Sequence, residues 1–143
     1  MCRFRFFRQK LKFTKISTMI IGIGNDLLEI ARMEDQLRGD REPFRDTVFT
    51  SGEIAYCETK RHPAEHYAAR FAAKEALLKA LAVDGQSGLM WREAEILNEP
   101  SGRPRVYLYG SLQNRARELH VQNIFITLSH TAGLAAASVV LES

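Results

Sequence analysis

The chain alternates between short apolar runs and segments with helical spacing. Ile20–Gly24 is a nearly unbroken apolar run whose two glycines permit another backbone to approach closely, the pattern of a buried strand. Asn25-Asp26 reads as its end, with Asp26 able to cap the next element. From Leu27 to Arg38 the apolar residues Leu27, Ile30, Met33 and Leu37 recur at helical intervals, with Arg32 and Arg38 off the stripe. Residues 39–43 are a polar break, and the apolar pattern returns at Phe44, Val48 and Phe49. Thr50 followed by Glu53 has the spacing of a capping box, so a short helix should run through Tyr56 and Cys57.

Pro63 opens an alanine-rich helix predicted to continue to Ala82, with Tyr67, Phe71, Leu78 and Ala82 as its apolar face. Asp84–Gly88 breaks it. Beyond lie strand patterns at Glu93–Leu97 and Arg105–Tyr109, joined by the turn Asn98–Gly102. An amphipathic helix is expected at Ser111–His120. Two more strands, Ile124–Leu128 and Ala135–Leu141, flank a turn at Ser129–Gly133. The sum is an α+β fold: a single domain with a long central helix packed on a mostly antiparallel sheet. No repeat or low-complexity segment interrupts it.

Length and composition agree with one core. The chain has 143 residues, 45% apolar and 26% charged. Charge changes the picture more. Residues 1–18 carry six basic residues (Arg3, Arg5, Arg8, Lys10, Lys12, Lys15) and no acidic one. The remainder holds 14 of the 20 basic residues against all 17 acidic ones, so the domain proper is acidic although the whole chain is at +3. The high isoelectric point belongs to the basic N-terminal extension, and a nucleic-acid binder is not expected. Three readings of that extension stand: a gene start placed too early, with Met19 as the initiator; an organelle-targeting peptide; or a basic arm. Met19 lies directly before the first strand pattern, which favours the first. No apolar run approaches the roughly 20 residues of a membrane span. Cys2 and Cys57 share no metal-type spacing and read as reduced thiols of a cytoplasmic protein.

Three places hold candidate chemistry: Asp26 at the mouth of the first strand, the stretch Ala72–Leu81 in the central helix, and Ser129-His130-Thr131 in a turn. Glu75 lies about 40° from Phe71 on the helical wheel, at the edge of the buried face. A carboxylate there needs a cation. Lys79, four residues on, is the simple partner; a divalent metal shared with Asp26 is the alternative, and two carboxylates with phosphate oxygens and water would suit Mg²⁺. His130 reads equally as a structural hydrogen-bonder, and Arg70 and Lys74 as solvating charges on the helix flank. Gly22-Ile23-Gly24 lacks the third glycine of a dinucleotide-binding loop.

At these residues the chain resembles the holo-acyl-carrier-protein synthase family of 4′-phosphopantetheinyl transferases. Gly22-Ile23-Gly24-Asn25-Asp26 with Glu29-Ile30 and Arg32 is similar to the family's opening strand. Phe49-Thr50-Ser51-Gly52-Glu53 with Tyr56-Cys57 comes next. The helix motif Arg70-Phe71-Ala72-Ala73-Lys74-Glu75-Ala76 with Lys79 matches without a change. Gly102-Arg103-Pro104 resembles the family's Gly-Lys-Pro, and Leu128-Ser129-His130 its Ser-His turn. The likeness runs from about Met19 to Glu142. Two departures stand out. Asn25 is polar where the family usually has an apolar or small residue, and residues 1–18 have no counterpart.

The resemblance implies transfer of the 4′-phosphopantetheine group from coenzyme A to a serine of apo-acyl carrier protein, releasing adenosine 3′,5′-bisphosphate, in fatty acid biosynthesis. It also implies that Asp26 and Glu75 are catalytic and hold Mg²⁺. Lys79 and His130, with Arg70 as a third, are expected to meet the coenzyme A phosphates. Arg32 and Arg38 are expected to receive an acidic carrier-protein helix, and the enzyme is expected to be a homotrimer. Two other readings remain: a transferase dedicated to a polyketide or peptide synthase carrier, and a non-catalytic module binding coenzyme A or carrier protein.

Overall fold

A computed structural model describes residues 18–39, 44–84 and 90–143. The basic extension up to residue 17, most of the break after Gly39 and the break after Asp84 lie outside the described residues. In chain order the elements are β1 (Ile20–Glu29), α1 (Ile30–Arg38), α2 (Phe44–Val48), α3 (Ser51–Glu58), α4 (Pro63–Ala80), a 3₁₀ turn (Met90–Glu93), β2 (Ala94–Asn98), β3 (Pro104–Leu108), α5 (Gly110–Glu118), β4 (Asn123–Thr131) and β5 (Leu134–Glu142).

The strands form two antiparallel sheets, not one: β1-β5-β4 and the separate hairpin β2-β3. β5 is the centre of the first, paired with β1 from Ile20↔Glu142 to Glu29↔Leu134 and with β4 from Asn123↔Glu142 to Thr131↔Leu134. Helix α4 lies across this sheet. The glycines of β1 decide how closely. A methyl group at Gly24 would overlap the carbonyl of Ala76, and one at Gly22 that of Ala80, one helical turn on. Strand and helix therefore meet backbone to backbone, and the alanines of α4 are the other half of that fit.

Helix α4 is buried on nearly every side. Tyr67, Ala68, Ala69, Ala72, Ala73, Ala76, Leu77 and Leu78 are all in the core, and so are Arg70 and Lys74. The expectation of one apolar face is too narrow, and Ala82 lies outside the helix. There the chain turns in a left-handed conformation (φ 51°), with Val83 N–H donating to Leu78 O at 3.0 Å. α5 ends the same way at His120 (φ 56°), where Val121 N–H reaches Ala116 O.

Two boundaries move. The segment from Asp26 to Glu29 is strand, not helix: its ladder to β5 continues through Leu27↔Ala136 and Leu28↔Ala135. Asp26 therefore caps no helix, and α1 begins at Ile30, whose N–H donates to Gly133 O. His130 likewise stands in β4, paired with Ala135; the tight turn is Ala132-Gly133, with Gly133 at φ 108°. The capping box at Thr50 is present in full, with Glu53 N–H donating to Thr50 Oγ1 and Thr50 N–H to Glu53 Oε2.

Candidate active site

Strand alternation puts Gly22, Gly24, Asp26 and Leu28 on the face of β1 that meets α4. With the two glycines seated on Ala80 and Ala76, Asp26 comes to the flank of the helix. Lys79 Nζ donates to Asp26 Oδ1 at 2.8 Å and to the carbonyl of Asn25 at 3.0 Å. Glu75, one turn earlier, shares that flank. It does not pair with Lys79. Its Oε1 accepts a hydrogen bond from the indole N–H of Trp91 at 2.6 Å. Asp26, Lys79 and Glu75 thus line one strip where β1 crosses α4, with Trp91 closing it from the 3₁₀ turn. Trp91 carries no signal of function in the sequence beyond being the single tryptophan of the chain, placed just past a glycine-containing break.

Lys74 is not a solvating charge. It is 1% exposed, and its ammonium reaches Glu53 Oε2 (2.8 Å) and the carbonyls of Val48 (3.0 Å), Trp91 (2.6 Å) and Ala94 (2.6 Å). Burial pulls its pKa below the usual lysine range, and Glu53 opposes that pull. Arg70 is equally buried. It donates to Ile96 O (3.1 Å) and Asn98 Oδ1 (2.7 Å), and its guanidinium lies over the Tyr56 ring. These two cations fasten α4 to the segments that carry Trp91 and the Asn98 turn.

His130 stands with its Nδ1 3.7 Å from Glu65 Oε2 and its ring edge-on to His66. Burial first, then Arg70 and His130, hold His66 below the ordinary histidine range. Cys57 is fully buried, and burial pushes its thiol up to about 12, so it is no nucleophile at neutral pH. Arg32 borders a cleft of about 150 Å³ lined by Leu28, Met33, Gln36, Phe44 and Phe71. Arg38 is engaged by its own helix, with Glu34 at 3.1 Å and Asp35 at 3.9 Å. Asn25, the polar departure, does not disturb the strand: its amide donates to Ala137 O and Ser138 Oγ on β5.

Among the described residues no three His, Cys, Asp or Glu side chains gather into a metal-binding cluster. What the strip offers is two carboxylates on different elements. That donor set fits a hard cation that takes few protein ligands and fills its shell with water and phosphate oxygens. Among the described residues no helix is long and apolar enough to cross a membrane.

The chain is similar to the holo-[acyl-carrier-protein] synthase of Geobacter sp. (strain M21), 44% identical over 124 residues that make up 87% of this chain and 99% of that protein. The solved structure of holo-[acyl-carrier-protein] synthase from Neisseria meningitidis superposes with a TM-score of 0.79 at 26% identity, covering 87% of this chain and 100% of that one. The Helicobacter pylori holo-[acyl-carrier-protein] synthase in complex with coenzyme A gives 0.70 at 30% identity, covering 83% and 98%. The family model of the 4′-phosphopantetheinyl transferase superfamily matches residues 22–137, a span that takes in most of β1, all of α4 and β4, and every residue of the strip. With that match across most of the chain and a relative 44% identical along nearly its whole length, the chain belongs to the 4′-phosphopantetheinyl transferase superfamily.

Proposed function

We propose that this chain is a holo-[acyl-carrier-protein] synthase, moving the 4′-phosphopantetheine arm of coenzyme A onto a serine of an apo-acyl carrier protein in fatty acid biosynthesis and releasing adenosine 3′,5′-bisphosphate. The strip Asp26–Lys79–Glu75 carries the reading, because it pairs Asp26 with a half-exposed amine at 2.8 Å, with Glu75 one helical turn before that amine. Asp26 and Glu75 are the residues that would hold Mg²⁺. When bound, the ion supplies charge neutralisation of the pyrophosphate and polarises the bond that breaks.

The chain's own groups do the rest. Lys79, its side chain 55% exposed, is free to exchange Asp26 for a phosphate oxygen without leaving a buried charge behind. Glu75, through a water, takes the proton of the attacking serine, whose hydroxyl is a weak nucleophile unaided. His130 provides a second phosphate contact at the end of β4. Arg70 acts from beneath, by fixing β2 and Asn98. Arg32 and the cleft beside it receive the carrier protein, with the guanidinium facing its acidic residues and Phe44 and Phe71 its apolar ones.

The outer face of the three-stranded sheet supports a homotrimer. Ile23 (72% exposed), Leu27 (60%) and Phe125 (43%) stand there as large apolar side chains in open solvent. A second and third copy would cover them. Sedimentation giving only a monomer mass would remove this part of the proposal.

The test is to incubate the full chain with coenzyme A, Mg²⁺ and apo-acyl carrier protein and to weigh the carrier. A gain of one phosphopantetheine unit is expected, with Glu75→Gln slowed by about 10²-fold or more. No gain with folded wild-type protein, across fatty-acid, polyketide and peptide synthase carriers, would overturn the activity.

A further inference from the structure

We infer that Trp91 is a positioning residue for Glu75: its indole N–H holds Oε1 and so leaves Oε2 as the oxygen presented to the reaction. The inference rests on the reading of Glu75 as a metal ligand. A glutamate on a helix flank has several rotamers, and holding it in one of them costs conformational entropy. A carboxylate that must meet a cation in one geometry benefits if that restriction is in place beforehand. Here it is. The 2.6 Å bond from Trp91 fixes one oxygen, and among the described residues Oε2 makes no hydrogen bond.

The tether works only if Trp91 is itself held, and it is held twice more. Its carbonyl accepts from Lys74 Nζ at 2.6 Å, and its ring packs on Phe71 with centroids 5.7 Å apart. Lys74 is in turn fixed by Glu53 and by the carbonyls of Val48 and Ala94. A continuous chain of contacts thus runs from a fully buried ion pair through the Trp91 backbone to its indole and on to the Glu75 carboxylate. Partners that orient a metal ligand from behind typically change metal affinity or activity by about 10–100-fold when removed. Trp91→Phe deletes the N–H and retains most of the ring that packs on Phe71.

The experiment measures Mn²⁺ binding to the full chain in the presence of coenzyme A, by loss of the electron spin resonance signal of free Mn²⁺, for wild type, Trp91→Phe and Glu75→Gln. Trp91→Phe is expected to keep the wild-type melting temperature, to bind Mn²⁺ about 10-fold more weakly, and at saturating metal to lose kcat while the KM for coenzyme A holds. Loss of binding in Glu75→Gln with wild-type binding in Trp91→Phe would overturn the role of Trp91 and leave Glu75 as the ligand. Wild-type binding in Glu75→Gln would overturn the ligand assignment and this inference with it. A second measurement needs no change at Trp91. Since it is the chain's single tryptophan, its emission should shift when Mg²⁺ and coenzyme A are added to wild type and should not shift in Glu75→Gln. An unmoved wild-type emission also counts against the tether.

Discussion

Helix α4 carries two lysine–carboxylate pairs with the same 2.8 Å separation. Lys74–Glu53 faces the core with side chains 1% and 0% exposed; Lys79–Asp26 faces the site with side chains 55% and 20% exposed. Distance alone does not distinguish them, and the surroundings of each pair do. Lys74 is saturated by three backbone carbonyls besides Glu53, and Glu53 holds Thr50 N–H and Ile96 N–H besides Lys74. Neither can leave without stranding the other in an apolar interior. Lys79 has Asp26 and one carbonyl, and both side chains reach the surface, so its bond is replaceable. A pair locked in the core and a pair at the surface are built from the same residue types five positions apart.

The largest consequence of that contrast is on stability. Lys74→Met removes the cation and leaves Glu53 buried and unpaired, at a cost of about 3–5 kcal/mol. A fall in melting temperature on the order of 10 °C is expected. A melting temperature within a degree or two of wild type would show that the inner pair is as dispensable as the outer one. Lys79→Met should do the reverse. An exposed pair contributes less than about 1 kcal/mol, so the melting temperature should hardly move, while the KM for coenzyme A rises by about 10- to 100-fold from loss of a charged contact worth roughly 1.5–3 kcal/mol. Unchanged kinetics would place the phosphates elsewhere.

The smallest effect concerns His66, half-buried between Arg70 on the inner side and His130 on the outer, with Lys60, Glu65 and Tyr56 around it. Its folded pKa lies below the ordinary value, so the unfolded chain binds the proton more readily. Stability is therefore whole above the ordinary histidine range and declines as pH falls through it. His66→Gln should flatten that part of a melting-temperature profile against pH; an unaltered slope would assign the decline to other groups.

The same contrast explains how much of the site is legible in the sequence. Asp26, Glu75 and Lys79 stand out because a charge on an otherwise apolar element draws attention, and the helix motif around Glu75 is specific. The partner of Glu75 is not legible, since i and i+4 spacing proposes Lys79 whereas β1 brings Asp26 to Lys79 and the 3₁₀ turn brings Trp91 to Glu75. Lys74 reads as a surface charge because an alanine-rich helix has no strong polar side, so the wheel cannot tell an enclosed helix from a half-exposed one. The β1 boundary is hidden for a similar reason. Leu27 fits a helical stripe with Ile30 and Met33 and fits a strand equally well, and only pairing with β5 decides between them.

The sheet topology has a consequence for how the protein comes into being. β1 has one described partner strand, β5, and that partner lies more than a hundred residues downstream, with Ile20 opposite Glu142. During synthesis the first strand emerges long before its neighbour exists. Its apolar run must wait beside the ribosome with its edges unpaired, a long-range closure of the sort that slows folding and invites misassociation. α4 arrives midway and offers the glycines a seat, but the ladder that runs past Asp26 is complete only when Leu134–Glu142 has been made. A site whose first residue is translated early is thus finished late, and a nascent chain halted before β5 should carry every member of the Asp26–Lys79–Glu75 strip without the sheet that aligns them.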